Sequence, residues 1–359
     1  NPYRARHPSA KSPIPAGHIS KRHPEIVRTY GKHLWLDPAD PRTREYSLSV
    51  ITDVLRRYDI DGIHLDDYFY PYKERDSAGN IIEFPDDTTW RQYRKSGGQL
   101  SRDDWRRDAV NQFVRGIYEA KQRIKPWVKF GISPFGIWRP GNPPQIKGLD
   151  AYAELYADSR LWLQNGWVDY LSPQLYWSVS APAQSYPVLL QWWVEQNVGG
   201  RHIWPGNLTS RIANGSSNAW KADEIIKQIE ITRAQPGAGG NVHFSARVLM
   251  RNLDGIADKL RTGPYKDPAI PPASPWLSKR APAPPDVTRD GREISLKSAT
   301  VERPWLWAVQ THRASGWQTT FVFGEQDTYT VPDADSANAI AVRCLDRYGA
   351  ESPATVVPF

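Results

Sequence analysis

The segment Ser47–Tyr58 (SLSVITDVLRRY) and the stretch just beyond it, Asp61–Asp67 (DGIHLDD), decide the fold between them. In the first, Leu48, Ile51, Val54 and Leu55 recur at helical spacing. In the second, Ile63 and Leu65 point one way while Gly62, His64 and Asp66 point the other, the period of a strand. The same unit returns along the chain. Asp108–Lys125 is followed by VKFGISPF, Tyr152–Asn165 by VDYLSPQLYW, Val188–Gln196 by HIWPGNL, and Ala222–Ala234 by NVHFSARVL. Repeated helix-then-strand units imply a parallel sheet with helices packed outside it. Each predicted strand keeps one apolar and one polar or small face: Leu171 and Leu175 oppose Ser172, Gln174 and Tyr176, and Val242 and Phe244 oppose His243, Ser245 and Arg247. A doubly wound sheet is apolar on both faces. The α/β fold expected for residues 1–263 is therefore a (β/α) barrel with a polar lumen.

Residues 264–285 hold Pro264, Pro268, Pro271, Pro272, Pro275, Pro282, Pro284 and Pro285, which reads as an extended, semi-rigid linker. Beyond it, over 286–359, the runs EISLKSATV, LWAVQTH, TTFVFG and AIAVRCL predict a small all-β sandwich. A chain of 359 residues accommodates both domains. No stretch approaches the ~18 apolar residues of a transmembrane helix. No signal-peptide pattern stands at the start, and the chain opens at Asn1 without a methionine, as a mature or trimmed product would.

Cys344 is the single cysteine, which excludes an internal disulfide and a cysteine-rich metal site. The net charge of +7 comes from 46 basic residues interleaved with 39 acidic ones. No basic run is long enough to make a nucleic-acid stripe, whereas an anionic polysaccharide suits the balance. The 16 tryptophans and 17 tyrosines outnumber 9 phenylalanines. Rings with an apolar body and a polar tip serve wet binding surfaces, and their excess favours a saccharide groove.

In (β/α) barrels chemistry lies at the C-terminal strand ends. Those ends carry Asp66-Asp67-Tyr68-Phe69-Tyr70, Ser133-Pro134-Phe135, Gln174-Leu175-Tyr176-Trp177, Gly206-Asn207 and Ser245-Ala246-Arg247. No zinc pattern, phosphate-cradling glycine loop or serine triad accompanies them, so neither metal nor cofactor is expected. What remains is carboxylate chemistry on a polyhydroxylated substrate. Asp66 is the leading catalytic candidate, ending a strand on the face it shares with His64. Asp67, its neighbour, diverges from it and reads as structural or supporting. Glycosidases usually place a second carboxyl group across the scissile bond, and Glu154 is the candidate for it. Gln174 and Tyr176 would bind sugar hydroxyls, with Tyr68, Tyr70 and Asn207 beside them at the strand ends. Trp138 and Trp177 would stack on sugar rings. Arg247, near Ser245, would hold a carboxylate or bind a substrate acid.

Several longer stretches carry a resemblance: NPYR at 1–4, LWLDP at 34–38, YDIDGIHLDDYFYPY at 58–72, FPDD at 84–87 and WRRDAVNQF at 105–113, then GISPFGIWRP at 131–140, YAELYADSRLWLQNGWVDYLSPQLYW at 152–177 and PAIPPASPWL at 268–277. Over about residues 1–277 the chain resembles glycosyl-hydrolase-like family 10 of bacteria. The resemblance implies a (β/α)₈ barrel, an extracytoplasmic location and glycoside hydrolysis, some members acting on peptidoglycan strands stripped of their stem peptides. It implies that Asp66 and Asp67 are the acids of the catalytic centre, lined by Asn1, Arg4, Gln174 and Tyr176. In the family NPYR lies near the end of the third barrel strand, so the barrel here is expected to be incomplete at its N-terminal side. AVRCLDRYGAESPA at 341–354 is similar to a fibronectin type III module, a natural contact for an envelope-protein partner. Two functional readings follow: a glycoside hydrolase, or a non-catalytic glycan-binding or envelope scaffold protein that keeps the barrel.

Overall fold

The computed structural model describes residues 2–358. The chain divides into two compact units, one running to Asp254 and one from Gly255. The first unit runs β1 (Arg4–Arg6), α1 (Ile19–Arg22), β2 (Val27–Tyr30), β3 (His33–Leu36), α2 (Pro41–Arg57), β4 (Gly62–Leu65), α3 (Asp87–Lys95), α4 (Arg102–Ile124) and β5 (Lys129–Ile132). It continues through α5 (Ala151–Glu154), α6 (Ser159–Gln164), β6 (Tyr170–Leu171), α7 (Tyr186–Glu195), β7 (His202–Ile203), β8 (Gly206–Asn207), α8 (Ala222–Ala234), β9 (Val242–His243) and α9 (Ala246–Met250).

The helices start where the local chemistry caps them. Asp40 accepts a hydrogen bond from the Arg42 N–H and Pro41 opens the first turn of α2, while Arg56 and Arg57 complement the dipole at its end. Ser101 accepts from the Asp104 N–H at the head of α4. Strands β4, β5, β6 and β7 lie in that order and in parallel, and β8 pairs with β9. Bridges from Phe135 to Gln174 and from Gln174 to Gly206 carry the pairing up to the strand ends. The core between sheet and helices holds Val110, Phe113, Phe130, Ile132, Leu171 and Ile203. Lys121 of α4 and Asp169, both fully buried, pair at 2.6 Å and pin the helix to the sheet. A Cβ on Gly131 would lie 2.0 Å from the Tyr170 ring, so glycine there lets that ring lie across β5.

The sheet is open among the described residues. β4 has a partner on one side only, and along its other edge lies a hollow of about 360 Å³ lined by Pro2, Val50, Val54, Ile63 and Leu65. Three strand and helix expectations need correction. The strand expected over 170–176 is Tyr170–Leu171 alone, with Gln174 rejoining its neighbours by isolated bridges. The expected helix over 152–165 is two short helices, interrupted at Tyr156, whose φ is 54°. The last strand stops at His243, and the good helix formers of ARVLM turn 246–250 into α9. Ser245 and Arg247 are therefore not strand residues.

Six of the sixteen tryptophans are buried in the core: Trp35, Trp105, Trp162, Trp192, Trp193 and Trp307. Trp35, Trp162 and Trp193 are fully buried, with their indole N–H groups donating to Phe69 O, Asn111 Oδ1 and Gly136 O respectively.

The second unit opens with α10 (Ile256–Thr262) and continues with β10 (Asp286–Asp290), β11 (Glu293–Lys297), β12 (Leu306–Arg313), β13 (Gly316–Phe323), β14 (Thr328–Thr330), β15 (Ala339–Leu345) and β16 (Thr355–Pro358). Two antiparallel sheets, β10-β11-β14 and β13-β12-β15-β16, share a core of Ile294, Leu296, Trp307, Val309, Ile340 and Val342. The proline-rich stretch has no helix or strand, as expected, yet it is not a free spacer throughout. Ser274 is buried and its N–H donates to the Tyr348 carbonyl at 2.9 Å.

Candidate active site

Asp66 follows the last residue of β4. Its Oδ1 accepts from Gln174 Nε2 at 2.8 Å and from the Asp67 N–H at 2.9 Å. Gln174 is steadied in turn, the same amide donating to the Ser133 carbonyl at 2.9 Å. The side chain of Asp66 thus reaches across β5 toward β6, over the strand ends. Its second oxygen takes no hydrogen bond among the described residues, and the residue is half-buried.

Asp67 is 3 % exposed, and the Tyr72 hydroxyl donates to its Oδ2 at 2.5 Å. Burial pushes this carboxyl up to about 7, the Tyr72 hydrogen bond pulls against that, and the charge of Asp66 adds to it. Tyr176 is held firmly in its phenol form, first by burial and then by the charges of Asp66 and Asp67. The Arg4 guanidinium lies 4.3 Å from the Tyr68 ring centre and 5.4 Å from that of Trp35. His64 sits one layer lower, bonded through Nε2 to Ser133 Oγ and through Nδ1 to the Tyr170 hydroxyl, each at 2.9 Å. Partial desolvation lowers its pKa, favouring the neutral imidazole.

The structure therefore brings together Arg4, His64, Asp66, Asp67, Tyr68, Gln174 and Tyr176. Others are engaged elsewhere or share no hydrogen bond with this group. Tyr70 is a core residue, 1 % exposed, packed edge-on against Phe84 and Tyr156. Trp138 stacks on Trp192 and donates its indole N–H to Asp158 at 3.0 Å, so packing already occupies it. Trp177, partly buried, sits edge-on to Phe135. Asn207 is fully buried, donating to Gln228 Oε1 and accepting from Asn241 Nδ2, each at 2.8 Å. Arg247 is exposed on α9, and Ser245 precedes that helix. Glu154 ends α5 and shares no hydrogen bond or ion pair with Asp66 among the described residues. Asn1 lies outside the described residues. Strand-end position placed Asp66 and Gln174 well, whereas it could not separate inward residues from those drawn into the loop core.

Sequence reading missed Tyr72 and named Ser133 only as a strand-end residue. Tyr72 stands inside the quoted YFYPY run, but only the fold turns it back onto Asp67. Among the described residues no group of three or more His, Cys, Asp or Glu could hold a metal ion.

The loop that carries Asp67 and Tyr72 is fastened at its far end. Asp86, fully buried, accepts from Arg106 Nε and a terminal nitrogen, each at 2.8 Å, and also from Arg102. Arg106 donates onward to the Tyr156 hydroxyl at 2.6 Å and to Glu83 at 3.1 Å. This cluster ties the 66–86 loop to α4 and to the turn between α5 and α6.

The profile of the glycosyl hydrolase-like 10 family matches residues 9–222. The chain belongs to that family. It is 40 % identical over 298 residues to glycosyl hydrolase YngK of Bacillus subtilis, covering 80 % of this chain and 57 % of YngK. Glycosyl hydrolase DigH of Escherichia coli K12 is 33 % identical over 234 residues, covering 62 % of this chain and 52 % of DigH. The chain spans about half the length of these curated relatives. Among solved structures, α-L-fucosidase isoenzyme 2 of Paenibacillus thiaminolyticus aligns with 74 % of this chain and 38 % of its own, at 12 % identity and a TM-score of 0.42. No helix among the described residues is long and apolar enough to cross a membrane.

Proposed function

We propose that this glycosyl hydrolase-like chain cleaves O-glycosidic bonds in an anionic bacterial glycan, peptide-stripped peptidoglycan strands being the leading substrate. The observation that carries the proposal is the open oxygen of Asp66. Gln174 and the Asp67 N–H fix the other oxygen, so the free one is aimed without cost of reorganisation when positive charge grows at the anomeric carbon. Asp67 holds a proton up to about pH 7, which keeps a second negative charge away from Asp66 below that pH. Tyr176 and Gln174 are the groups offered to sugar hydroxyls.

Charge supports the anionic substrate. Between Asn1 and His33 stand Arg4, Arg6, Lys11, Lys21, Arg22, Arg28 and Lys32 against Glu25 alone. Arg6 and Lys21 give their donors to the loop carbonyls of Ala10, Ser12 and Ile14 rather than to acids, leaving their charge uncompensated there. This lobe reaches the acid pair through Arg4, and a carboxylate on each repeating sugar would meet it favourably.

The barrel is proposed to close by further parallel strands on the free edge of β4, which has a partner on one side only. The strand order of the second unit supports the fibronectin type III-like reading, a module suited to an envelope-protein contact, while an extracytoplasmic location is proposed from the family resemblance of the first unit. A glycan-binding protein without turnover is the second reading, favoured by the lack of an evident second carboxylate partnered with Asp66. One experiment decides between them: incubation with peptide-stripped strands and neutral polysaccharides, followed by mass analysis of products. Asp66→Asn is expected to abolish cleavage, by at least about 10³-fold, while keeping glycan binding. Equal turnover in that variant removes Asp66 from the mechanism.

A further inference from the structure

Phe244 is a large apolar ring left 53 % exposed next to Tyr176. It stacks on Tyr176 with ring centres 6.0 Å apart and planes 29° from parallel. Its backbone is locked on both sides: its N–H donates to the Asn207 carbonyl at 2.9 Å, and its own carbonyl accepts from the Ser210 N–H at 2.8 Å. Tyr176 is seated equally firmly. A Cβ on Gly206 would come within 3.3 Å of the Tyr176 ring, so the glycine lets that ring lie close against β8. The result is a fixed two-ring step. Its lower ring stands two residues beyond Gln174, whose amide holds Asp66 at 2.8 Å, and its upper ring is the exposed one.

We propose that Phe244 is a sugar-stacking platform beside Asp66, binding the apolar C–H face of a pyranose ring next to the scissile bond. The proposal rests on the glycan reading of the site and adds a subsite to it. A fixed, exposed aromatic ring loses little entropy on binding and removes apolar area from water when a sugar covers it. The Tyr68 ring under Arg4 flanks the acids from another strand end, so a glycan chain crossing Asp66 would meet an aromatic ring at each side. Because stacking contributes to ground state and transition state alike, its loss appears in KM rather than kcat.

The test measures turnover and calorimetric binding of peptide-stripped glycan oligosaccharides for the chain as it stands, for Phe244→Ala and for Phe244→Trp. Phe244→Ala is expected to raise KM and Kd at least fivefold with kcat within twofold, and Phe244→Trp to restore both. Unchanged KM and Kd in Phe244→Ala overturn the platform, as does a loss that tryptophan fails to rescue. Should the chain bind the oligosaccharides without cleaving them, the Kd values alone still decide the platform while the hydrolase reading falls. Should it bind none, both fall.

Discussion

Two buried aspartates bound the same loop, Asp67 at its start and Asp86 at its end, and they are treated oppositely. Asp86 is met by two guanidinium groups, Arg106 and Arg102. Asp67 is met by one phenol, with no cation in hydrogen-bond reach among the described residues. The first arrangement supplies counter-charge and fixes geometry, so the loop has a rigid far anchor. The second withholds counter-charge, so a carboxyl changes its charge near neutral pH. Burial alone does not distinguish a joint from a working acid; the partner does.

The contrast breaks most visibly at Arg106. Arg106→Met keeps much of the volume but leaves Asp86 with a single guanidinium, and is expected to cost about 3–5 kcal/mol of stability in urea unfolding. A loss below about 1 kcal/mol would mean that Arg102 suffices and that the anchor is not a two-cation device.

Asp67→Asn should act in the other direction, and only above a certain pH. The folded-state pKa of Asp67 is raised from the ordinary 3.8 to about 7. The stability it contributes is therefore fully present below about pH 4 and is lost as pH rises through about 7. An amide that never ionises escapes this loss. The variant is expected to match the parent near pH 4 and to exceed it by about 3 kcal/mol at pH 8.5. Urea midpoints at the two pH values check this, and an equal offset at both would refute the shifted carboxyl.

How far the sequence reveals this contrast depends on the range over which each feature is encoded. The alternating units from Ser47 to His243 are local, and the strands at Gly62–Leu65 and Lys129–Ile132 follow from their period. Asp66 and Gln174 are legible because strand ends are legible. The split of 152–165 at Tyr156 is not, since it is tied to the tertiary bond from Arg106 to the Tyr156 hydroxyl. Asn207 shares a strand end with no visible mark of burial, and only its partners Gln228 and Asn241, distant in sequence, reveal its role. Tryptophan count, likewise, says nothing of location: Trp35 and Trp193 fill the core.

The smallest expected effect isolates the phenol itself. Tyr72→Phe removes the one hydroxyl that donates to Asp67, and that donation favours the ionised carboxyl. Its loss moves the Asp67 pKa further upward, so the fall in stability with pH continues to higher pH than in the parent chain. The cost is expected to be about 1–1.5 kcal/mol at pH 8.5 and less at pH 5, where a protonated carboxyl is a weaker acceptor. In the Asp67→Asn background the same change should cost an equal amount at both pH values, because the titrating partner is gone. A pH-dependent cost surviving in that double variant would assign the titration to another group and dissolve the comparison between the two aspartates.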